Sequence, residues 1–403
     1  INLSWGGAGN FSKFSQDVIN YAVLEKDAVV VAAAGNTNKS LYFFPASFRH
    51  VLSVGATDIN DNKALWATYS HAIDMMAPGH NVYTTNNAGG YGRTGGSSYS
   101  APLVSGVAAL VRTHFPHLNA LQVMEQLRVT SDDIYNVGNN HLYEGQLGKG
   151  RLNAHKALTD IVTPSVRVTD IKHSSSFGTL LFPGDHVTAE LIFTNYLRLA
   201  ENVTIQITNP ASKVEFSQTE IYIPQLGELE RYSGIINFRI LEEVQTGDTL
   251  LFRVDYQGNN YTDFEYFHII MTPGYFDVSD GKLSMTMSGN GNIGFDDYLT
   301  FRGNGISYME KYVGGLAGVI IATDSLHVMD NVVNHLTNYT RDQDFVEETT
   351  LRMYNNSEAP VDVRSVFRAA PGPSSLPLKI EQKILGWPSG DLQGSLALEY
   401  RLI

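Results

Sequence analysis

The chain contains no cysteine, which removes disulfide staples, a thiol nucleophile and thiolate metal sites together. It is also short of positive charge: 28 Lys and Arg stand against 41 Asp and Glu, a formal net charge of -13. Nucleic-acid phosphates demand a basic face, so this balance argues against nucleic acid as a partner, and against an anionic membrane surface. No apolar run approaches the roughly 18 residues of a membrane-spanning helix. No secretory leader opens the chain, but with Ile1 rather than Met in first place its absence carries no information. No histidine precedes Asn36, and no aspartate ahead of it stands in a segment suited to hold a base.

What is present describes a globular protein. Apolar residues make up 43% of the 403, charged residues 17%, enough for two or three domains with sizeable cores. Residues 1 to about 160 alternate strand and helix. Ile1 to Trp5 reads as a strand, and a helix is expected from about Ser12 to Lys26 with Phe14, Val18, Ile19 and Ala22 on its buried face. Ala28 to Ala34 is continuously apolar, the mark of a parallel strand buried on both faces. Val51 to Ala56 and Ala72 to Met76 read as further strands, and helices are expected over about 98–115 and 119–130. The fold class is therefore α/β with a parallel sheet.

Beyond residue 158 the pattern changes. Val187, Ala189, Leu191 and Phe193 alternate, as do Leu250, Phe252, Val254 and Tyr256, with turns such as Pro183-Gly184-Asp185 between the runs. Residues 164–272 are expected to form a β-sandwich, with Thr272-Pro273-Gly274 as a linker. Residues 276–403 read as a second β-rich domain, open to truncation at its end, with strands at Leu283 to Met287 and Gly318 to Ala322. The abrupt start at Ile1 and end near Tyr400 suggest a piece of a longer protein.

The chemistry concentrates at Gly96-Ser97-Ser98-Tyr99-Ser100-Ala101-Pro102. A serine hydroxyl is a weak nucleophile that needs exposure, a base and an oxyanion hole. Ser98 stands at the mouth of a helix whose expected apolar face is Leu103, Val107, Leu110 and Val111, and free N–H groups there favour an oxyanion. Pro102 is expected in the first turn, where its missing N–H has no helical partner. The bland alternative is a serine capping a core helix. Asn36 shifts the balance: it follows the carboxyl end of a buried strand, where α/β sheets place ligands, and its amide can donate to a developing oxyanion.

Four segments then carry a resemblance to the subtilases, the subtilisin-like serine peptidases, over residues 1 to about 158. They are Ile1 to Gly7, Ala33-Ala34-Gly35-Asn36, Asp74-Met75-Met76-Ala77-Pro78-Gly79, and Gly96 to Pro102, where Ser97 replaces the family's usual threonine. The resemblance implies that Ser98 attacks the scissile carbonyl and that Asn36 with the Ser98 N–H holds the oxyanion. It further implies that Ser4, Trp5 and Gly6 offer a strand edge to a protein or peptide substrate. Ala33, Ala34 and Gly35 would wall the pocket for the residue before the cut, with Phe44-Pro45-Ala46 at its far end and an apolar or aromatic side chain inside.

The family's chain order is Asp, His, Ser, so both partners are expected upstream of Ile1, and this piece alone is expected to be inert. None of the twelve histidines present reads as a replacement base. Asp58-Ile59-Asn60-Asp61-Asn62 opens like a calcium loop, but Lys63 stands where Gly is needed, so a solvated turn is the better reading. No metal ligand or cofactor is assigned, although the resemblance leaves room for a structural calcium elsewhere. Asp342, Asp344, Glu347 and Glu348 read as a solvated acidic face, and Tyr261, Phe264, Tyr266 and Phe267 as core or cross-strand pairs rather than a sugar platform. The leading expectation is a secreted or cell-surface bacterial serine endopeptidase with two appended β domains of unidentified ligand. A non-catalytic binding or adhesion protein on the same scaffold is the alternative, and an esterase or transferase using the same nucleophile a third.

Overall fold

The computed structural model describes all residues except 10, 88, 177, 280–281, 296–302, 325–326, 335–339, 342–343, 355–358 and 372–375. Asp342 of the acidic cluster lies outside the described residues.

The α/β region begins with β1 (Asn2–Leu3), β2 (Gly7–Ala8), α1 (Lys13–Asn20) and β3 (Val31–Ala33). It continues through β4 (Phe43–Phe44), β5 (Leu52–Thr57), β6 (Met75–Pro78), β7 (Val82–Thr85) and β8 (Tyr91–Thr94). Three helices complete it: α2 (Ser97–His114), α3 (Ala120–Val129) and α4 (Ala154–Thr159). Strands β1, β3, β5 and β6 form a parallel sheet in that order. Val30 to Ala34 are at most 2% exposed, so the continuous apolar run is covered on both faces.

Two helix faces differ from expectation. Ser12 caps α1, and the helix ends in a π turn over Tyr21–Glu25. Phe14 and Val18 are 77% and 51% exposed, whereas Gln16 and Val23 are buried and Ile19 and Ala22 pack against the core. A buried Gln is tolerated because its amide satisfies both backbone groups of Arg49, donating to the carbonyl at 2.9 Å and accepting from the N–H at 2.9 Å. In α2 the buried stripe is Ala101, Val104, Ala108 and Val111, while Leu103 and Leu110 face solvent. Small side chains bring the helix axis close to the sheet, and that close approach outranks the larger leucines.

The next region contains β9 (Val166–Ser174), β10 (His186–Asn195), β11 (Ala200–Thr208) and β12 (Val214–Gln218). It is completed by β13 (Glu220–Leu226), β14 (Arg231–Ile240), β15 (Thr249–Gly258) and β16 (Tyr261–Ile270). They form two four-stranded sheets, β12-β14-β10-β9 and β13-β11-β15-β16, around one core. Val187, Ala189, Leu191 and Phe193 point into it, as do Leu250, Phe252, Val254 and Tyr256. Tyr261 and Phe267 belong to this core, whereas Phe264 and Tyr266 meet the α/β region at Tyr135 and His71.

Among the described residues of 275–403 the regular elements are again strands. Leu283–Ser288 anchors one antiparallel sheet, and Phe345–Met353, Val361–Ala369, Lys379–Gly386 and Leu396–Leu402 form another. Phe182 from the preceding region is fully buried in their core and stacks on Phe276 at 5.8 Å.

A buried ionic seam joins the α/β region to the two sheets. Arg128 on α3 and Asp263 on β16 have side chains only 3% and 0% exposed and form a bidentate pair, with Nη1 donating at 2.9 Å. Arg128 Nε also donates to Glu125 at 2.7 Å, and Lys149 Nζ lies 3.2 Å from Asp263. Ser165 donates to Glu125 at 2.6 Å, and Arg167 meets Glu265 at 3.3 Å. Burial alone would push the Asp263 carboxyl up, but Arg128, Lys149 and Arg167 outweigh it and hold the carboxyl well below the ordinary carboxylate range.

Candidate active site

The loop before α2 is built for tight turning. Gly96 precedes the helix with φ +151°, and its N–H donates to Gly79 at 2.8 Å. The Ser100 hydroxyl then donates to the Ala77 carbonyl at 3.0 Å, which ties the first turn of α2 to β6. A Cβ on Gly79 would stand 2.3 Å from Ser100 Oγ, so only glycine lets the two segments approach. The Met75 to Gly79 turn is thus the shelf on which the serine helix starts.

Ser98 is the second residue of α2 and half-exposed, with no acidic side chain in the first turn to offset the helix dipole. Its Oγ donates to the Ser4 carbonyl at 3.0 Å, and Ser4 Oγ donates back to the Ser98 carbonyl at 2.8 Å. The second bond has a cause in the sequence. Pro102 lies inside α2 rather than at its first turn, as the sixth helical residue, and lacks the N–H that would have bonded the Ser98 carbonyl four residues back. That carbonyl is free for Ser4.

Asn36 sits exposed at the end of the β3 segment, after Gly35 at φ +104°. Its side-chain oxygen accepts the Ser97 N–H at 2.9 Å and the Ser97 hydroxyl at 3.0 Å. A backbone N–H only donates, so the amide orientation is fixed, and the NH2 group takes the other prong, close to Gly96. Ser97 Oγ also accepts from Gly35 N–H at 3.1 Å, so one hydroxyl clamps the Gly35-Asn36 corner to the helix start. The sequence had offered Ser97 only as a replacement for threonine; a hydroxyl beside the nucleophile position was the signal for this clamp.

The structure brings Ser4, Asn36 and Ser98 to one rim. Trp5 and Gly6 continue from Ser4 as exposed backbone, and Ala33, Ala34 and Gly35 lie buried at the end of the neighbouring segment. The far end of the expected pocket is different. Phe44 packs on Phe48 at 4.7 Å and pairs with Gly7, and Pro45 and Ala46 are buried. It is Phe43 whose ring reaches Gly6 and Gly35.

Among the described residues no imidazole or carboxylate hydrogen-bonds Ser98 Oγ. His50 shares a 3.0 Å hydrogen bond with Asn20, and burial beside Arg49 pushes its pKa down to about 4. His71 stacks on Tyr266 at 4.1 Å, and His114 and His117 flank Phe115. The loop at Asp58 is a turn held by its own carboxylate, which accepts the N–H groups of Asn60 at 2.8 Å and Asn62 at 3.0 Å. Asp61 faces Arg151 at 2.9 Å. The Lys63 ammonium reaches inward to the oxygens of Asn38, Ala64 and Ala67 at 3.1, 3.1 and 2.9 Å and lies over the rings of Tyr69 and Tyr143.

The subtilase family model matches residues 1–150. Thermitase of Thermoactinomyces vulgaris is 36% identical over 158 residues, covering 39% of this chain and 53% of thermitase. Subtilisin DY of Bacillus licheniformis is 36% identical over 162 residues, covering 39% and 56%. Among solved structures, proteases from Pseudoalteromonas arctica match 39% of this chain and 50% of theirs at 30% identity and a TM-score of 0.36. The chain spans about half the length of these relatives.

Proposed function

We propose that the protein carrying this chain, whose residues 1–150 match the subtilase family model, is a secreted serine endopeptidase that forms its acyl-enzyme on Ser98. A peptide lies along the exposed Ser4-Trp5-Gly6 backbone as an added strand. Ser98 Oγ attacks the scissile carbonyl, and the resulting oxyanion is held by the Asn36 NH2, the Ser98 N–H and the positive end of α2. The general base that takes the hydroxyl proton, with its carboxylate partner, comes from residues outside this chain. The leaving amine departs with a proton from that base, and water then releases the acyl group.

One observation carries this reading. The Asn36 carbonyl oxygen is consumed by two bonds from Ser97, which leaves a rigid, outward amide donor beside the serine. A capping serine on a core helix has no use for a pre-aimed donor at a solvent-facing rim. Fluorophosphonate labelling of the intact protein tests it: labelling lost on Ser98→Ala supports the nucleophile, and equal labelling in both proteins removes it. Absence of labelling would instead favour a binding protein on the same scaffold.

A further inference from the structure

We infer that Phe43 closes the cleft meant for the side chain before the scissile bond, so that cleavage follows glycine or alanine. The inference rests on the proposal that Ser98 is the nucleophile and deepens it by naming the substrate class. The cleft is bounded by Ser4-Trp5-Gly6 on one side and by Ala33-Ala34-Gly35 on the other. A Cβ built on Gly6 would stand 2.6 Å from Phe43 Cε1 and 3.0 Å from Cδ1. A Cβ built on Gly35 would stand 2.7 Å from Phe43 Cδ2 and 3.0 Å from Cε2. Those are opposite edges of one ring. The phenyl group therefore spans the gap between the two backbone segments, and both glycines are needed to admit it rather than a substrate side chain.

The ring is not free to swing aside with its backbone. Phe43 N–H donates to Ser47 Oγ at 3.0 Å, its carbonyl accepts the Ser47 N–H at 2.9 Å, and it pairs with Ala8 across β2 and β4. The Gly35 side cannot widen easily either, because Thr68 Oγ1 stands 2.7 Å from the same Cβ position, and Thr68 is buried and bonded to Thr37 N–H. Phe43 remains half-buried, so part of the ring is left as a shallow floor. A methyl group or hydrogen fits on such a floor; a leucine or phenylalanine side chain needs volume the ring holds.

The test digests a peptide library, varied at the residue before the cut, with the intact protein and reads the products by mass spectrometry. Cleavage after Gly and Ala should exceed cleavage after Leu and Phe by at least about tenfold in kcat/KM. In Phe43→Gly the ratio of bulky to small should rise by at least about tenfold, with Phe43→Leu in between. Wild-type cleavage after Leu or Phe at the alanine rate overturns the inference, and that outcome needs no variant to fold. An unchanged ratio in a folded Phe43→Gly overturns it too. Fluorophosphonate labelling separates the two levels: without Ser98 labelling both readings fall, whereas labelling with bulky preference removes only the role of Phe43.

Discussion

Asp263→Ala removes one half of the buried pair that joins α3 to β16. The guanidinium of Arg128 keeps its bond to Glu125 but loses both donors' acceptor, in a site where it is only 3% exposed and cannot recover water. Lys149 loses a partner 3.2 Å away, and the Tyr261 hydroxyl loses an acceptor at 3.1 Å. Breaking a buried pair from one side costs up to about 3–5 kcal/mol; Arg128 keeps Glu125 and the Ser165 hydroxyl, so the loss falls at the lower end of that range. For a cooperative unit of this size 1 kcal/mol moves Tm by about 2–4 °C, so the expected drop is on the order of 10 °C. Calorimetry should also show the α/β region and the two sheets, coupled in the parent, separating into distinct transitions. The control is the double substitution Arg128→Met with Asp263→Leu, which removes both charges and should recover much of the loss. An Asp263→Ala protein with parental Tm and an unsplit transition would refute the claim that the seam couples the regions. A double variant as damaged as the sum of the singles would refute the cause assigned to it.

If the intact protein is the proposed peptidase, Asn36→Ala should lower its kcat about a hundredfold or more with little change in KM, since the lost donor acts on charge that develops only in the transition state; an unchanged kcat removes Asn36 from the proposed mechanism. Ser4→Ala should cost about 0.5–1.5 kcal/mol in urea denaturation, because Pro102 has no N–H with which to satisfy the part-buried Ser98 carbonyl. His50 titrates lower in the folded protein, at about 4, than in the unfolded chain. Its contribution to stability is therefore full above about pH 6.5 and lost as pH falls toward 4. His50→Asn, which also suits the left-handed φ of +64°, should flatten that part of the urea midpoint against pH; a superimposable profile would rule out His50 as the source.

Periodicity made the layers legible. Ala28 to Ala34 read as a doubly covered strand, and Val30 to Ala34 are buried while Ala28 and Val29 are half-exposed; the alternations at Val187 to Phe193 and Leu250 to Tyr256 each put one face in a core. Helix faces were harder, because α2 buries Ala101 and Ala108 and exposes Leu103 and Leu110, the reverse of what hydrophobicity alone ranks. The corner of Asn36 and Ser98 was visible as two motifs, yet its clamp, Ser97, showed only as a hydroxyl beside Ser98; the segments it accepts from and donates to leave no local pattern. Arg128 and Asp263 are 135 residues apart, and Phe43 matters only once β1 and β3 lie side by side. Such long-range meetings leave no trace in spacing.

Lys63 has a last consequence. Its ammonium sits among three oxygens and two aromatic rings, in the manner of a dissolved cation organising a loop, but it is tethered by its own side chain. A tethered ion has no dissociation constant and no dependence on dilution. Chelators have no ion to strip at this place; what discharges it is loss of the Lys63 proton, whose pKa burial pulls down to about 8.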